Sequence, residues 1–259
     1  MRLCELYEFI PKRKSVREFS DESLSEELLE EFVDFLSEQE APKDDVDWDF
    51  DILSEAEMFV MTEGEVSLKA PHYLVLRSEE KPFRTQNIGY LGELSALWFC
   101  AKGVGSCWLG GIRIVEDYEG LMPYVISIAL GKTNSLYRGE DEVPERIPIK
   151  KLCRGKFEGD KLVIAEAVRL APSSLNRQPT RLLAEPNDVI DVFRKTSYVN
   201  LDTDTLLGID SGIAIAHIKV ASESLGYNME IQEKTPPPIW AGRTHTVSLH
   251  ISPIQEDAE

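Results

Sequence analysis

Gly103-Val104-Gly105-Ser106-Cys107-Trp108-Leu109-Gly110-Gly111 is the stretch from which the fold reads outward. Before it, Asn87 to Lys102 predicts a helix rich in small residues, ended by Gly103 at the position after the cap, where a left-handed residue is wanted. Cys107 to Leu109 then predicts a short strand. The Gly110-Gly111 pair lets backbone N–H groups approach a flat ligand as no residue with a Cβ could. A helix cap followed by a tight turn is the alternative, and it accounts for Gly103 better than for the pair.

The same grammar returns 123 positions later, where Gly212 to Gly226 repeats the spacing of Gly89 to Gly103. Both intervals are small-residue-rich helices closed by glycine, and each follows an earlier helix and a short apolar strand. In the first copy, Ser23 or Ser25 caps a helix carrying Leu28, Leu29, Phe32, Val33 and Leu36 at helical spacing. Ala41 to Asp51, acidic and broken by proline, suits an exposed loop. Pro71 to Arg77 and Val125 to Leu130 are apolar enough for strands of a sheet covered on both faces. Lys132 to Pro148 is a polar connection. In the second copy, Asp160 can cap a helix carrying Leu162, Val163, Ala167, Val168 and Leu170, and Pro172 stops it. Arg181 to Ala184 suits a strand, Asp210 to Leu225 a helix, and His245 to Ile251 alternates as a half-buried strand should. The tail Gln255 to Glu259 is expected to be disordered.

Composition bounds the function. The chain has 259 residues, 28 Lys+Arg and 46 Asp+Glu, for a net charge of −18. That field repels phosphate, which argues against nucleic acid and anionic membrane partners. Any anionic ligand then needs a local basic site. Between Asp21 and Glu57 there are sixteen acids and one lysine, a solvated acidic face. Immediately before it stands the basic cluster Lys12-Arg13-Lys14-Ser15-Val16-Arg17. Cys4, Cys100, Cys107 and Cys153 form no CxxC pair and the four histidines are scattered, so neither a disulfide scaffold nor a metal site is expected. Without an apolar leader or an eighteen-residue apolar run, the expectation is a soluble cytoplasmic protein.

Two further stretches carry chemistry. Arg13-Lys14-Ser15-Val16-Arg17 offers guanidinium forks and a hydroxyl within five residues, which suits a terminal phosphate, although basic stretches of this length are common. Ala171-Pro172-Ser173-Ser174-Leu175-Asn176-Arg177-Gln178-Pro179 brackets a polar loop between prolines. It can hydrogen-bond the edge of a planar heterocycle, or equally form an ordinary Ser/Asx turn that satisfies its own backbone.

Taken together, these motifs closely resemble the FMN-dependent nitroreductase family, from Arg13 to about Ile231. The resemblance implies an α+β fold, helices packed around a mixed central sheet, with two half-units forming an internal pseudo-dimer. Residues 1–155 would be the half with the phosphate motif and Gly-Gly segment, and 156–259 the half with the Pro-Ser-Ser-x-Asn loop, in one compact unit. It further implies FMN as cofactor. Arg13, Lys14, Ser15 and Arg17 would hold the phosphate, Leu109, Gly110 and Gly111 would line the flavin N5 side, and Pro172, Ser173, Ser174 and Asn176 would bond the ring edge. Arg146, in Val143-Pro144-Glu145-Arg146-Ile147-Pro148-Ile149, and secondarily Lys132, would add phosphate contacts. NAD(P)H and a nitroaromatic, quinone or similar acceptor are the implied partners, with no catalytic side chain demanded because the flavin carries the hydride.

The chain departs from the family pattern in two ways. The Pro-Ser loop follows the other two motifs instead of lying between them, and each half lacks the motifs the other retains. That implies tandem duplication with one surviving FMN site, a monomer mimicking the family homodimer. Thr180 also stands where tryptophan is usual, removing an aromatic wall. Two other functions remain open from the residues: a flavin-binding or FMN-sequestering protein without turnover, and an acidic protein-interaction module.

Overall fold

The structure is a computed structural model describing residues 1–259 save 65, 115–121, 140, 141, 143, 197–200 and 255–259, and the side chains of 201 and 202. The expected tail 255–259 and Val143 of the connecting stretch therefore lie outside the described residues. The chain forms two compact units. One is Lys12–Glu142; the other combines Met1–Pro11 with Val143–Glu259.

In the first unit, α1 (Glu26–Ser37), β1 (Trp48–Ser54), α2 (Glu55–Met61), β2 (His72–Ser78), α3 (Arg84–Ala101), β3 (Gly105–Leu109) and β4 (Tyr124–Gly131) follow in order. The sheet runs β1-β2-β4-β3, antiparallel at every pairing, with Leu74 opposite Ile128 and Cys107 opposite Ala129. Every residue of α3 from Asn87 to Cys100 is buried, as a helix without a polar face must be when it forms a core. Ser25 is the cap of α1, its side chain accepting from the Leu28 amide. The buried stripe of α1 is Phe32, Phe35 and Leu36, and Phe32 packs its ring 4.4 Å from Phe99. Val33 lies about 100° around the helix from Phe32 and is exposed.

The expected loop Ala41 to Asp51 needs correction, because β1 begins at Trp48 and runs into α2. Trp48, Phe50 and Ile52 alternate with acids, the pattern of a charged edge strand. Asp51 pairs with Arg77, buried at 2 % exposure in β2. Ser54 and Glu57 close a reciprocal capping box at the start of α2.

The second unit holds a 3-10 helix (Leu3–Phe9), then α4 (Ile149–Leu152), β5 (Cys153–Arg154), α5 (Asp160–Leu170), β6 (Arg181–Glu185), β7 (Val189–Lys195), α6 (Leu201–Ser224), β8 (Tyr227–Ile231) and β9 (Arg243–Pro253). Its sheet is β5-β6-β7-β9-β8, parallel between β5 and β6 and antiparallel elsewhere. Setting β5 aside, both sheets place their first, second, fourth and third strands side by side, with the long helix between the second and third. Gly103 and Gly226 end the two long helices at φ +81° and +82°.

Residues 1–11 and 143–155 belong with the second unit, where a boundary at 155 was expected. The reason is burial: Leu6 is wholly inaccessible, in a 3-10 helix packed on α6. Asp160 is the first residue of α5 and not its cap; Gly159 caps at φ +54°, and Asp160 accepts from the Tyr227 hydroxyl at 2.7 Å. The helix expected from Asp210 begins at Leu201, its first turns diluted by Asp202, Thr203, Asp204 and Thr205. Strands β7 and β8 were not anticipated. Asn187 and Asp188, at φ +59° and +57°, form the tight turn that pairs β6 with β7. Among the described residues no helix is long and apolar enough to cross a membrane.

Candidate functional site

The basic stretch Arg13 to Arg17 is extended and runs along the outer edge of β3. Ser15 bridges Ser106 in parallel, the Val16 amide donates to the Ser106 carbonyl at 2.9 Å, and Arg13 bridges Tyr137. Gly105 permits this approach, because a Cβ there would lie 2.8 Å from Val16 Cγ2. The chain after β4 closes the other side, with the Ser20 amide donating to the Lys132 carbonyl.

Between these segments lies an open cleft of about 870 Å3, lined by Lys14, Ser15, Arg17, Lys132, Thr133 and Ser135, with Glu18, Glu22 and Glu142 on its walls. The Lys14 ammonium donates to Ser135 Oγ at 2.9 Å and lies 3.6 Å from Glu142. Lys132 pairs with Glu22. Arg17 is exposed and, among the described residues, makes no ion pair or side-chain hydrogen bond. The cleft thus gathers three cations and several hydroxyls, the donor set of an anion site.

Arg13 is placed differently from its neighbours. Its guanidinium is 4 % exposed and does not line the cleft; Nε sits 3.3 Å from Oε1 of Glu93, which is wholly buried in α3. The other Glu93 oxygen accepts from the Trp108 indole at 3.2 Å. Gly92 makes room for that indole, whose Cη2 would meet a Cβ at 2.4 Å. Burial pushes the Cys100 thiol up to about 11 and also raises Cys107, so neither is a thiolate nucleophile at neutral pH.

At the end of β3, the Leu109 side chain packs in the core with Met58 and Tyr73 and presents no surface of its own. Gly110 and Gly111 are exposed, Gly111 at φ +84° with open space where a Cβ would stand. Its need for glycine is the left-handed backbone.

In the second unit, the Pro172 to Asn176 loop is held from within. Ser173 Oγ accepts from the Gln178 amide at 2.8 Å, and Leu175, Asn176 and Gln178 adopt positive φ of 51°, 54° and 48°. Arg146, expected near the phosphate motif, braces this loop: it donates to Asn176 Oδ1 at 3.0 Å and to the Leu170 carbonyl at 3.2 Å. Asn176 donates in turn to the Glu145 carbonyl. Thr180 is 8 % exposed behind the loop.

Several buried polar residues on the long helices were not singled out from the sequence, among them two carboxyls and an amide. Glu93 and Asn87 in α3 and Asp210 in α6 are each at most 3 % exposed. The available signal was their polarity at inward positions of otherwise apolar helices, since a buried polar group needs a specific partner. Asp210 accepts from the Ser174 amide at 2.8 Å, and burial pushes its carboxyl up to about 7 against that hydrogen bond and the charge of Arg177.

Comparison with known proteins follows this geometry. The family model described as "Putative TM nitroreductase" matches residues 5–222. A solved "putative nitroreductase" from Thermotoga maritima MSB8 aligns at 21% identity and TM-score 0.63, covering 96% of this chain and 93% of that one. A "Putative NADH Oxidase" from Clostridium acetobutylicum aligns at 18% identity and TM-score 0.42, covering 54% and 93%. An "FMN-dependent Nitroreductase" from Clostridium difficile R20291 aligns at 16% and 0.43, covering 56% and 98%. No curated protein sequence matches. The family match extends over most of the chain and the full-length structural likeness agrees with it: this chain belongs to the nitroreductase family and is an oxidoreductase.

Proposed function

We propose that the chain is an FMN-dependent oxidoreductase that uses NAD(P)H to reduce a small acceptor such as a nitroaromatic or quinone. The observation that carries this reading is the cleft of Lys14, Ser15, Arg17 and Lys132, three cations converging in a protein of net charge −18. Those residues fit a terminal phosphate by charge and by hydrogen-bond type. When bound, FMN supplies the redox chemistry, accepting hydride from the nicotinamide and passing electrons to the acceptor.

The chain's own residues hold and orient. Arg17 gives an exposed guanidinium to phosphate, while Lys14 and Lys132 exchange Glu142 and Glu22 for it. Arg13 acts through Glu93, fixing the basic stretch against α3. The exposed Gly110-Gly111 backbone offers N–H groups to a planar ring without side-chain obstruction. For the ring edge, the resemblance points to the Pro172 to Asn176 loop. Asn176 is committed to Arg146 and Glu145, whereas Ser173, which accepts from Gln178 and keeps its O–H, and Ser174 each have a hydroxyl donor to offer.

Matching strand order in the two sheets supports an origin by duplication, and a chain that carries both halves would act as a monomer. The basic stretch occurs once, so one FMN per chain is expected. An absorbance spectrum with flavin stoichiometry tests this. Protein that is colourless and takes up no added FMN rejects the reading, and two FMN per chain rejects the single site.

Thr180 favours a second reading, FMN binding without turnover, because the position lacks its usual aromatic wall. Stopped-flow mixing of flavin-loaded protein with NADH and NADPH separates the two. Rapid bleaching supports the enzyme, and its absence supports the carrier.

A further inference from the structure

Asp210 is 3 % exposed in α6 and reaches the Pro172 to Asn176 loop from below, where Oδ1 accepts from the Ser174 amide at 2.8 Å. Oδ2 has no hydrogen-bond partner among the described residues. Asp210 borders a cavity of about 20 Å3 together with Val168, Pro172, Ser173 and Thr180.

The first unit shows what a neutral version of this contact looks like. Asn87 lies 123 positions earlier, at the corresponding place in α3, and holds the loop that follows α1. Its Oδ1 accepts from the Lys43 amide at 3.1 Å and its Nδ2 donates to the Lys43 carbonyl at 2.7 Å. The loops themselves correspond, Ala41-Pro42-Lys43 in one and Ala171-Pro172-Ser173 in the other. The first unit therefore fastens its loop with an amide that has partners on both sides. The second uses a carboxyl with a partner on one side only.

We propose that Asp210 is a proton-dependent positioning residue for the Pro172 to Asn176 loop, holding Ser174 in place while its second oxygen is protonated and releasing the loop when the carboxyl ionises. This rests on the reading of that loop as part of the flavin site. The Ser174 hydrogen bond favours the ionised form, but with Oδ2 unpartnered in a small cavity it does not replace the lost hydration, and lifting the loop is the nearest way to expose the carboxylate to water. Burial pushes this carboxyl up to about 7, so its hold on the loop weakens as pH rises from about 4 and is spent near neutrality. The surrounding charges are few. Arg169 of α5 also borders the cavity but is paired with Glu166, and Arg177, just beyond the loop, favours ionisation. Leu152 of α4 and Ile147 before it add only apolar surface.

The test is hydrogen–deuterium exchange at the Ser174 amide in the full chain without added flavin. Protection is corrected for intrinsic exchange between pH 4 and 9 and compared among wild type, Asp210→Asn and Asp210→Ala. Wild-type protection should fall by up to about tenfold per pH unit between the carboxyl's ordinary value near 4 and about 7, and level off above 7 where both the closed and the lifted loop leave it ionised, as linkage to a single proton requires. Asp210→Asn should stay protected and flat, since its amide keeps the acceptor as Asn87 does. Asp210→Ala should lose protection at every pH; if it does not fold, the Asn comparison suffices. A flat wild-type profile, or an Asn variant that falls as the wild type does, overturns the proposal. FMN titration of the same proteins should show affinity weakening with pH in wild type and not in Asp210→Asn. Absence of FMN binding at every pH overturns the flavin reading, while the exchange profile still decides the role of Asp210.

Discussion

Arg13 and Glu93 form an ion pair from which water is excluded, the guanidinium Nε 3.3 Å from the carboxylate at exposures of 4 % and 0 %. Removing one partner strands a buried charge, which costs about 3–5 kcal/mol. Arg13→Ala and Glu93→Ala are each expected to lower stability by that amount in urea titrations. The double variant is expected to lose much less than the sum of the two. Single variants as stable as wild type would place Arg13 elsewhere.

Arg17 is the opposite case, exposed on the wall of the cleft and without an ion pair among the described residues. Arg17→Ala should leave stability within about 0.5 kcal/mol. FMN affinity should drop roughly tenfold or more, the value of a charge-assisted hydrogen bond to phosphate. Equilibrium dialysis beside thermal melts reads both. A melt shift without an affinity change would contradict the assignment.

Glu22 and Glu142 compete with any anion for Lys132 and Lys14. Glu22→Gln and Glu142→Gln should tighten FMN binding a fewfold at low ionic strength. The gain should vanish towards about 1 M salt, where screening acts within a few ångströms. Titrations at two salt concentrations suffice.

Gly105 brings Val16 against β3, and a methyl group at that position would sit 2.8 Å from Val16 Cγ2 and 3.0 Å from Thr133 Cγ2. Gly105→Ala should destabilise by about 1–3 kcal/mol, as overpacking does. It should also weaken FMN binding, because both neighbours it displaces line the cleft. Unchanged affinity would separate the strand pairing from the anion site.

Asp210 gives stability a definite pH sign. Its carboxyl is raised from an ordinary value of 3.8 to about 7, so the native state binds the extra proton. The stabilisation it contributes is complete below about pH 4 and is lost as pH rises through 7. Asp210→Asn should therefore gain on wild type with rising pH, by a few kcal/mol at pH 8. Denaturation curves at pH 5 and 8 measure the difference, and equal gaps at both would contradict the shift.

Much of the fold was legible locally. The spacing of Phe32 and Leu36 beneath the Ser25 cap, the apolar runs of β2 and β4, and the glycines ending α3 and α6 are signals carried by neighbouring residues. The edge strands β1 and β8 were hidden because charged or polar residues break up their apolar positions, and β7 because Asp191 interrupts its apolar run. That aspartate is wholly buried and paired with Lys234, a partner distant in sequence.

The candidate site divides in the same way. By itself the sequence determined which residue types gather: a basic stretch in an acidic chain, a glycine pair after a strand, a Ser/Asn loop between prolines. Those features depend on composition and short-range backbone preference. Only the tertiary structure decided the separate tasks of Arg13, Arg17 and Arg146, buried against Glu93, open to the cleft, and bracing Asn176. It also brought Asp210 beneath Ser174, 36 positions away. Charge and hydrogen-bonding capacity belong to a residue, whereas burial and partners depend on what the folded chain packs around it, and these set what each group can hold or release.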